Sequence, residues 1–240
     1  MTYCVAAAIS AGIVFASDSR TNAGVDQVAV FSKMSVFEQP GERVLVLLSA
    51  GNLAMTQSVL SLLRLRAKEP RSVLGVASLY DAAALVGETT REIAARDGPT
   101  LAQQKIDASC NFIVGGQIRS EAPRLFHVYP QGNFIEATRE TGYFQIGETK
   151  YGKPIIDRVV RFDTPMKEVA KCLLVSFDST MRSNLSVGLP IDLLAYEKDA
   201  LRVTLRRRFG EDDAYFRSIS QVWSAGLRKA FADVPDVSWT

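Results

Sequence analysis

Residues 2–17 read TYCVAAAISAGIVFAS. The first seven of these are almost unbroken apolar side chains, Ser10, Ala11 and Gly12 supply a turn, and residues 13–17 run apolar again. A strand wetted on one face alternates apolar with polar side chains, whereas a run that is apolar at both parities must be covered on both sides. The chain therefore begins with a buried hairpin, and its covering layers have to come from segments further along the chain.

A second strand pair is expected at residues 32–38 and 43–49, joined by Gln39, Pro40, Gly41 and Glu42, whose chemistry suits a turn. No breaker interrupts residues 53–68, and Val76, Leu79, Ala83, Val86, Thr90, Ile93 and Ala94 step at helical spacing, which predicts two consecutive helices. Extended segments return at residues 111–114, 124–128 and 133–137. Thr164 and Pro165 mark a helix start and residues 166–181 carry a helical stripe. A last hairpin is expected at residues 191–196 and 201–205, then a closing helix over 213–231. Strands, helices, strands, helices, strands and helix is the order of an α+β fold, two antiparallel sheets stacked between helical layers, and not of a parallel βαβ array. Composition never shifts abruptly along the 240 residues, so one domain over 1–240 is expected.

Several function classes are excluded at this level. A hydrophobic share of 47% with 22% charged residues places the chain among globular proteins, away from disorder. Its apolar runs, such as residues 44–48, are far too short to span a bilayer, and no charged leader with a long apolar region opens it, so a cytoplasmic protein without a membrane partner is expected. Cys4, Cys110 and Cys172 are odd in number and set among apolar neighbours, which suits reduced buried thiols. With a net charge of +2, the basic run of Arg202 and Arg206 to Arg208 is followed at once by Glu211, Asp212 and Asp213. It reads as a solvated strand end or subunit contact and gives no nucleic-acid partner. The single histidine, His127, lies between Phe126 and Val128 and reads as a satisfied strand residue, which removes a histidine-rich metal site. Gly115 and Gly116 lack the helix signal and Lys-Ser/Thr of a phosphate loop. Neither a metal nor another cofactor is expected.

What remains is a nucleophile that brings its own base. If Met1 is removed, Thr2 carries a hydroxyl and an α-amine on one residue, and the amine can take the hydroxyl proton. A free α-amine titrates at roughly 7.7–8.0, so a nearby cation that depresses it modestly leaves a useful neutral fraction at cellular pH.

Candidate partners lie in Ala16-Ser17-Asp18-Ser19-Arg20-Thr21-Asn22-Ala23-Gly24 and in Phe31-Ser32-Lys33-Met34. With Thr2 ahead of them and Ala50-Gly51 leading into a helix, these stretches resemble the proteasome β-subunit family of N-terminal-nucleophile hydrolases. Ile113-Val114-Gly115-Gly116 and Ile146-Gly147-Glu148 extend the likeness over most of the chain. The opening Met-Thr-Tyr-Cys-Val-Ala, residues 17–26 and residues 146–154 are similar to the bacterial branch called Anbu, the proposed ancestral β-subunit. The resemblance implies a four-layer αββα sandwich that assembles with copies of itself into rings or ring-like or helical stacks, acting on a peptide or amide substrate. It also implies that methionine aminopeptidase exposes Thr2, since no propeptide precedes it.

Residue by residue, the resemblance implies Thr2 as nucleophile and base, Lys33 as the cation that lowers the amine's pKa, Asp18 as the group orienting Lys33, and the Gly51 N–H as oxyanion donor. Arg20 shares the Asp18 stretch. In the family's outer layer a Ser follows the glycine matched by Gly147, and an Asp stands three residues before a Ser. Here Glu148 takes the first place, Ser183 the second, and Ser186 matches the final Ser. A carboxylate near the amine favours its protonated form. A narrow amidase in which Glu148 holds a substrate amine, and a weakly active or inactive scaffold, therefore stand beside the peptidase expectation. Ala23, Phe31, Ser35 and Ser49 are the expected specificity positions.

Overall fold

The computed structural model describes residues 2–22 and 28–239. In chain order its strands and helices are β1 (Tyr3–Ile9), β2 (Gly12–Asp18), β3 (Arg20–Asn22), β4 (Val28–Val30), β5 (Met34–Gln39), β6 (Arg43–Gly51), α1 (Leu53–Leu65), α2 (Leu79–Gln103), β7 (Cys110–Ile118), β8 (Arg124–Val128), β9 (Phe134–Glu136), β10 (Tyr143–Gly147), α3 (Lys153–Val159), α4 (Met166–Ser183), β11 (Ile191–Glu197), β12 (Leu205–Phe209) and α5 (Ala214–Ala232). Two five-stranded antiparallel sheets result, ordered β10-β1-β2-β11-β12 and β5-β6-β7-β8-β9.

The opening hairpin is buried as its composition requires, and its alternation shows why. Tyr3, Val5, Ala7, Val14 and Ala16 face the helices α3, α4 and α5, while Cys4, Ala6, Ile13 and Phe15 turn toward the second sheet. That second sheet repeats the arrangement: Val44, Val46 and Leu48 join the layer between the sheets, and Leu45 and Leu47 pack under α1 and α2. Three apolar layers separate four structural ones, the expected αββα sandwich. Each fully buried Val, Leu or Phe side chain contributes about 1.5–3 kcal/mol by leaving water.

Some expectations are corrected. The chain opens with the four expected strands, but β3 and β4 add a short pair, and residues 143–147, which the apolar pattern leaves blank, form β10 at the edge beside β1. Helix α2 outruns its apolar stripe and continues through Pro99; the exposed position lets water satisfy the carbonyl that proline leaves without a donor. The last strand is Leu205–Phe209, not residues 201–205. Asp199 and Leu201 have positive φ, and the N–H groups of Leu201 and Val203 are given to Tyr196 Oη and Glu38 Oε1, which commits that stretch to a loop. The basic run thus lies on an edge strand, where charge discourages further strand pairing. All three cysteines are free and buried.

His127 is half-buried between the rings of Tyr129 and Phe144, and its buried Nε2 has no hydrogen-bond partner, so it is not the satisfied strand residue expected. Burial pushes its pKa below the ordinary histidine value. The folded chain therefore binds fewer protons than the unfolded one just below pH ~6.5, and stability falls as pH drops through that window. His127→Phe is expected to flatten this slope: its melting temperature relative to wild type should be higher at pH ~5 than at pH ~8, measured by thermal denaturation at both.

Candidate active site

Asp18 ends β2 with no solvent exposure, and Lys33 stands one residue before β5, 6% exposed. Lys33 Nζ donates to Asp18 Oδ1 at 2.7 Å and to the carbonyl of Arg20 at 2.6 Å. The same Oδ1 accepts the backbone N–H of Tyr3 at 3.0 Å, which ties the ion pair to the residue next to Thr2. Burial pushes the Asp18 carboxyl above its ordinary range, against the pull of Lys33, of the Tyr3 N–H and of the Gly188 N–H, which favours the anion although Oδ2 has no partner in hydrogen-bonding geometry. Removing one member of such a pair leaves a buried charge uncompensated, typically at a cost of about 3–5 kcal/mol.

Thr2 is partly exposed and shares a cleft of ≈ 50 Å³ with Thr21, Lys33, Ser49 and Gly51. Its carbonyl accepts the Glu148 N–H at 2.7 Å. Gly147, at φ +84°, makes this approach possible, because a Cβ there would stand 1.9 Å from Thr2 O. Gly51 closes β6 at φ +114°, where a Cβ would meet Ser109 O at 2.3 Å, and the next residue, Asn52, caps α1 by accepting the N–H groups of Ala54 and Met55. The glycine thus sits at the positive end of a 13-residue helix, a favourable place for developing negative charge.

Around the Thr2 end, Glu148 is buried and its Oε2 accepts Asn184 Nδ2 at 3.0 Å, with the Lys150 N–H 3.4 Å from Oε1. Asn184 Oδ1 in turn accepts the Ser186 N–H at 2.9 Å. Ser183 is exposed on the last turn of α4, and it is its neighbour Asn184 that reaches the carboxylate; the expected placement of Ser183 in this layer is corrected accordingly. Arg20 does not extend the Asp18 face, because the strand breaks at Ser19. Its carbonyl serves Lys33, while its guanidinium lies against Gly188, where a Cβ would be 2.4 Å from Cζ, and donates to Leu185 O. Ser49 lines the cleft, Ser35 is held by Arg64 Nη2 at 2.8 Å, Phe31 is exposed, and Ala23 lies outside the described residues with the stretch that follows it.

A hydroxyl on residue 2, a fixed ammonium in the same cleft and a glycine amide at a helix start form a set able to carry acyl transfer. Cys4, close to the pair, is not a rival nucleophile: burial and then the Asp18 charge raise its thiol well above the ordinary value. His127, on β8 against Phe144, takes no part in this cluster. Among the described residues no His, Cys, Asp or Glu grouping suits a metal ion.

No protein-family profile and no curated protein sequence matches the chain. Solved structures do. Anbu (ancestral beta-subunit) from Yersinia bercovieri is 53% identical over 100% of both chains, with a TM-score of 0.93. The chain in the helical assembly of the Anbu complex from Pseudomonas aeruginosa is 55% identical over 99% of each, with a TM-score of 0.95. Anbu from Hyphomicrobium sp. strain MC1 is 52% identical over 99% of this chain and 100% of that one, with a TM-score of 0.90. This chain belongs to the Anbu family.

Membership makes it a proteasome-related subunit, and full coverage means that the Anbu likeness includes every element around Thr2. The Gly147 approach to the Thr2 carbonyl leaves no room for a side chain. Gly147→Ala should destabilise by at least about 1–2 kcal/mol from backbone conformation alone, with the clash on Thr2 O added, read as a lowered denaturation midpoint. Amide exchange at Glu148 should accelerate; wild-type protection there would show that the contact does not constrain Thr2.

Proposed function

We propose that the chain is a threonine-type amide or peptide-bond hydrolase, a proteasome-like peptidase subunit working through Thr2 once Met1 is gone. The observation that carries this reading is the placing of Lys33 Nζ, 2.7 Å from Asp18 Oδ1 and 2.6 Å from Arg20 O, in the cleft that Thr2 and Gly51 also line. The ammonium lowers the pKa of the freed α-amine. The amine takes the Thr2 hydroxyl proton as Oγ attacks the substrate carbonyl carbon, and the oxyanion is met by the Gly51 N–H. Collapse expels the leaving amine with that proton. Water, deprotonated by the same α-amine, then attacks the ester and frees Thr2.

Glu148 favours a narrower variant of this chemistry. Its buried carboxylate is fixed by Asn184, on the residue whose N–H meets the Thr2 carbonyl, and were it to hold a substrate ammonium the enzyme would be an amidase of restricted specificity. The scaffold alternative gains wherever that carboxylate keeps the α-amine protonated. Self-assembly fits either: Val222, Leu227 and Phe231 on α5 and Trp239 beyond it are 72%, 52%, 80% and 93% exposed, and the Pseudomonas aeruginosa relative was solved as a helical assembly. No helix among the described residues is long and apolar enough to cross a membrane.

The test combines intact-mass analysis with an acyl-trapping β-lactone or epoxyketone. Wild type lacking Met1 should gain one probe mass, Thr2→Ala none, and Lys33→Ala should label about 10²–10⁴-fold more slowly. Unlabelled wild type with a free Thr2 amine, or a Thr2→Ala chain that labels as fast, would refute hydrolysis through Thr2.

A further inference from the structure

Asp192 on β11 is 2% exposed and belongs to no part of the cleft described above. Its register partner across the sheet is Ser17, one residue before Asp18. Its Oδ2 accepts Ser19 Oγ at 3.0 Å and Ser32 Oγ at 3.2 Å, and Arg208 Nη1 from β12 lies 3.3 Å from Oδ1. Ser19 immediately follows Asp18 and Ser32 immediately precedes Lys33, so one carboxylate oxygen holds the hydroxyls that flank both members of the ion pair.

Those two flanks need holding. Ser19 falls in the break between β2 and β3, and residues 31–33 lie between β4 and β5, outside any ladder. Isolated backbone bonds reach them: Ser19 N to Pro190 O, Phe31 N to Ser19 O, and Ser49 N to Lys33 O. Ser32 Oγ has one proton, shared between Asp192 and Met34 O at 3.1 Å. Asp192 Oδ2 accepts both hydroxyls at ordinary hydrogen-bond distances, and Arg208 keeps the buried carboxylate from standing as an uncompensated charge.

We propose that Asp192 is a positioning residue that fixes the Asp18–Lys33 geometry through Ser19 and Ser32, and thereby sets how strongly Lys33 acts on the amino terminus of residue 2. It touches neither substrate nor the reacting atoms. The proposal rests on the Thr2 reading, and it differs from plain structural support in one measurable respect. A fold tie changes stability alone, whereas a positioning tie also changes the electrostatics felt at Thr2. The charged groups facing that region are Lys33 in the cleft with Asp18 buried against it, Glu148 after β10, Arg20 on β3, and Arg208 behind Asp192.

The experiment follows reductive dimethylation of the Thr2 α-amine by peptide mass mapping, on protein whose loss of Met1 is verified by intact mass. A pH series should span the amine's ordinary range of roughly 7.7–8.0. Wild type, Ser32→Ala, Ser19→Ala and Asp192→Asn are compared, with thermal melts in parallel. A cation displaced from an amine lets its pKa rise, so the half-modification pH of Ser32→Ala and Asp192→Asn should move up by about 0.5–1 unit. Curves that superpose on wild type while melting temperatures fall would overturn the proposal, and if Asp192→Asn does not fold, Ser32→Ala decides alone. Because the readout needs no turnover, a wild type that never traps an acyl probe would defeat the hydrolase reading while the amine curves still judge Asp192.

Discussion

Asp18 Oδ1 accepts two hydrogen bonds, from Lys33 Nζ and from the N–H of Tyr3, and much of the molecule is arranged so that it can. A carboxylate with no solvent exposure and an ammonium beside it are costly to bury unless geometry and further hydrogen bonds compensate. Compensation comes from different levels of the fold. The β1–β2 register, which sets Cys4 opposite Ser17, brings the Tyr3 amide to Asp18; the break after β2 turns the Arg20 carbonyl toward Lys33; and the β5–β6 pairing carries Lys33 to Ser49. The hairpin whose composition marks it as a core element is therefore also the support of the cleft. Its apolar side chains face two packed layers, and its carboxyl end faces the ammonium.

Among the described residues, several of the buried polar atoms without protein partners lie near the same place. Ser17 Oγ, Asp18 Oδ2 and Thr21 Oγ1 are buried without hydrogen bonds, and Thr21 lines the cleft with Thr2. Native proteins satisfy most such groups, by protein or by ordered water. The contrast with Asp192, on the strand paired with β2, is instructive: that carboxylate is matched by two hydroxyls and a guanidinium. One buried acid is held by a full set of donors, and the other is left with an oxygen to spare beside the candidate nucleophile.

How much of the structure is legible in the chain depends on how local each cause is. Apolar parity gives the buried hairpin, the β5–β6 pair and the layer order, because alternation and helical spacing are written in adjacent residues. It does not give β10 or β3 and β4, which are short and owe their extended form to the neighbour they pair with. The last strand falls later than its composition predicts because Tyr196 and Glu38, the second remote in sequence, capture the loop's amides. In the cleft, Asp18 and Lys33 are legible through spacing and resemblance, and they meet at 2.7 Å. Asn184, Asp192 and the Tyr3 amide are not. Asn184 has a signal in its place one residue beyond a helix end, where asparagine often terminates helices; Asp192 sits between Ile191 and Leu193 in a buried strand, a sign that a buried acid has partners elsewhere. The contribution of Arg20 is hidden for another reason: it is made by a carbonyl, which every residue possesses.

The outer layer decides how the cleft can be used. Lys33 carries its own counter-ion, so what reaches the residue-2 terminus is the field of a dipole, Lys33 nearer or farther than Asp18 according to how firmly both are set. Glu148 supplies a second negative charge whose one oxygen is taken up by Asn184 and whose backbone N–H is committed to Thr2 O. The two influences oppose each other at an α-amine: a cation weakens its hold on a proton, a carboxylate strengthens it. If Thr2 acts as proposed, the balance between this dipole and the carboxylate sets how much of the amine is free base.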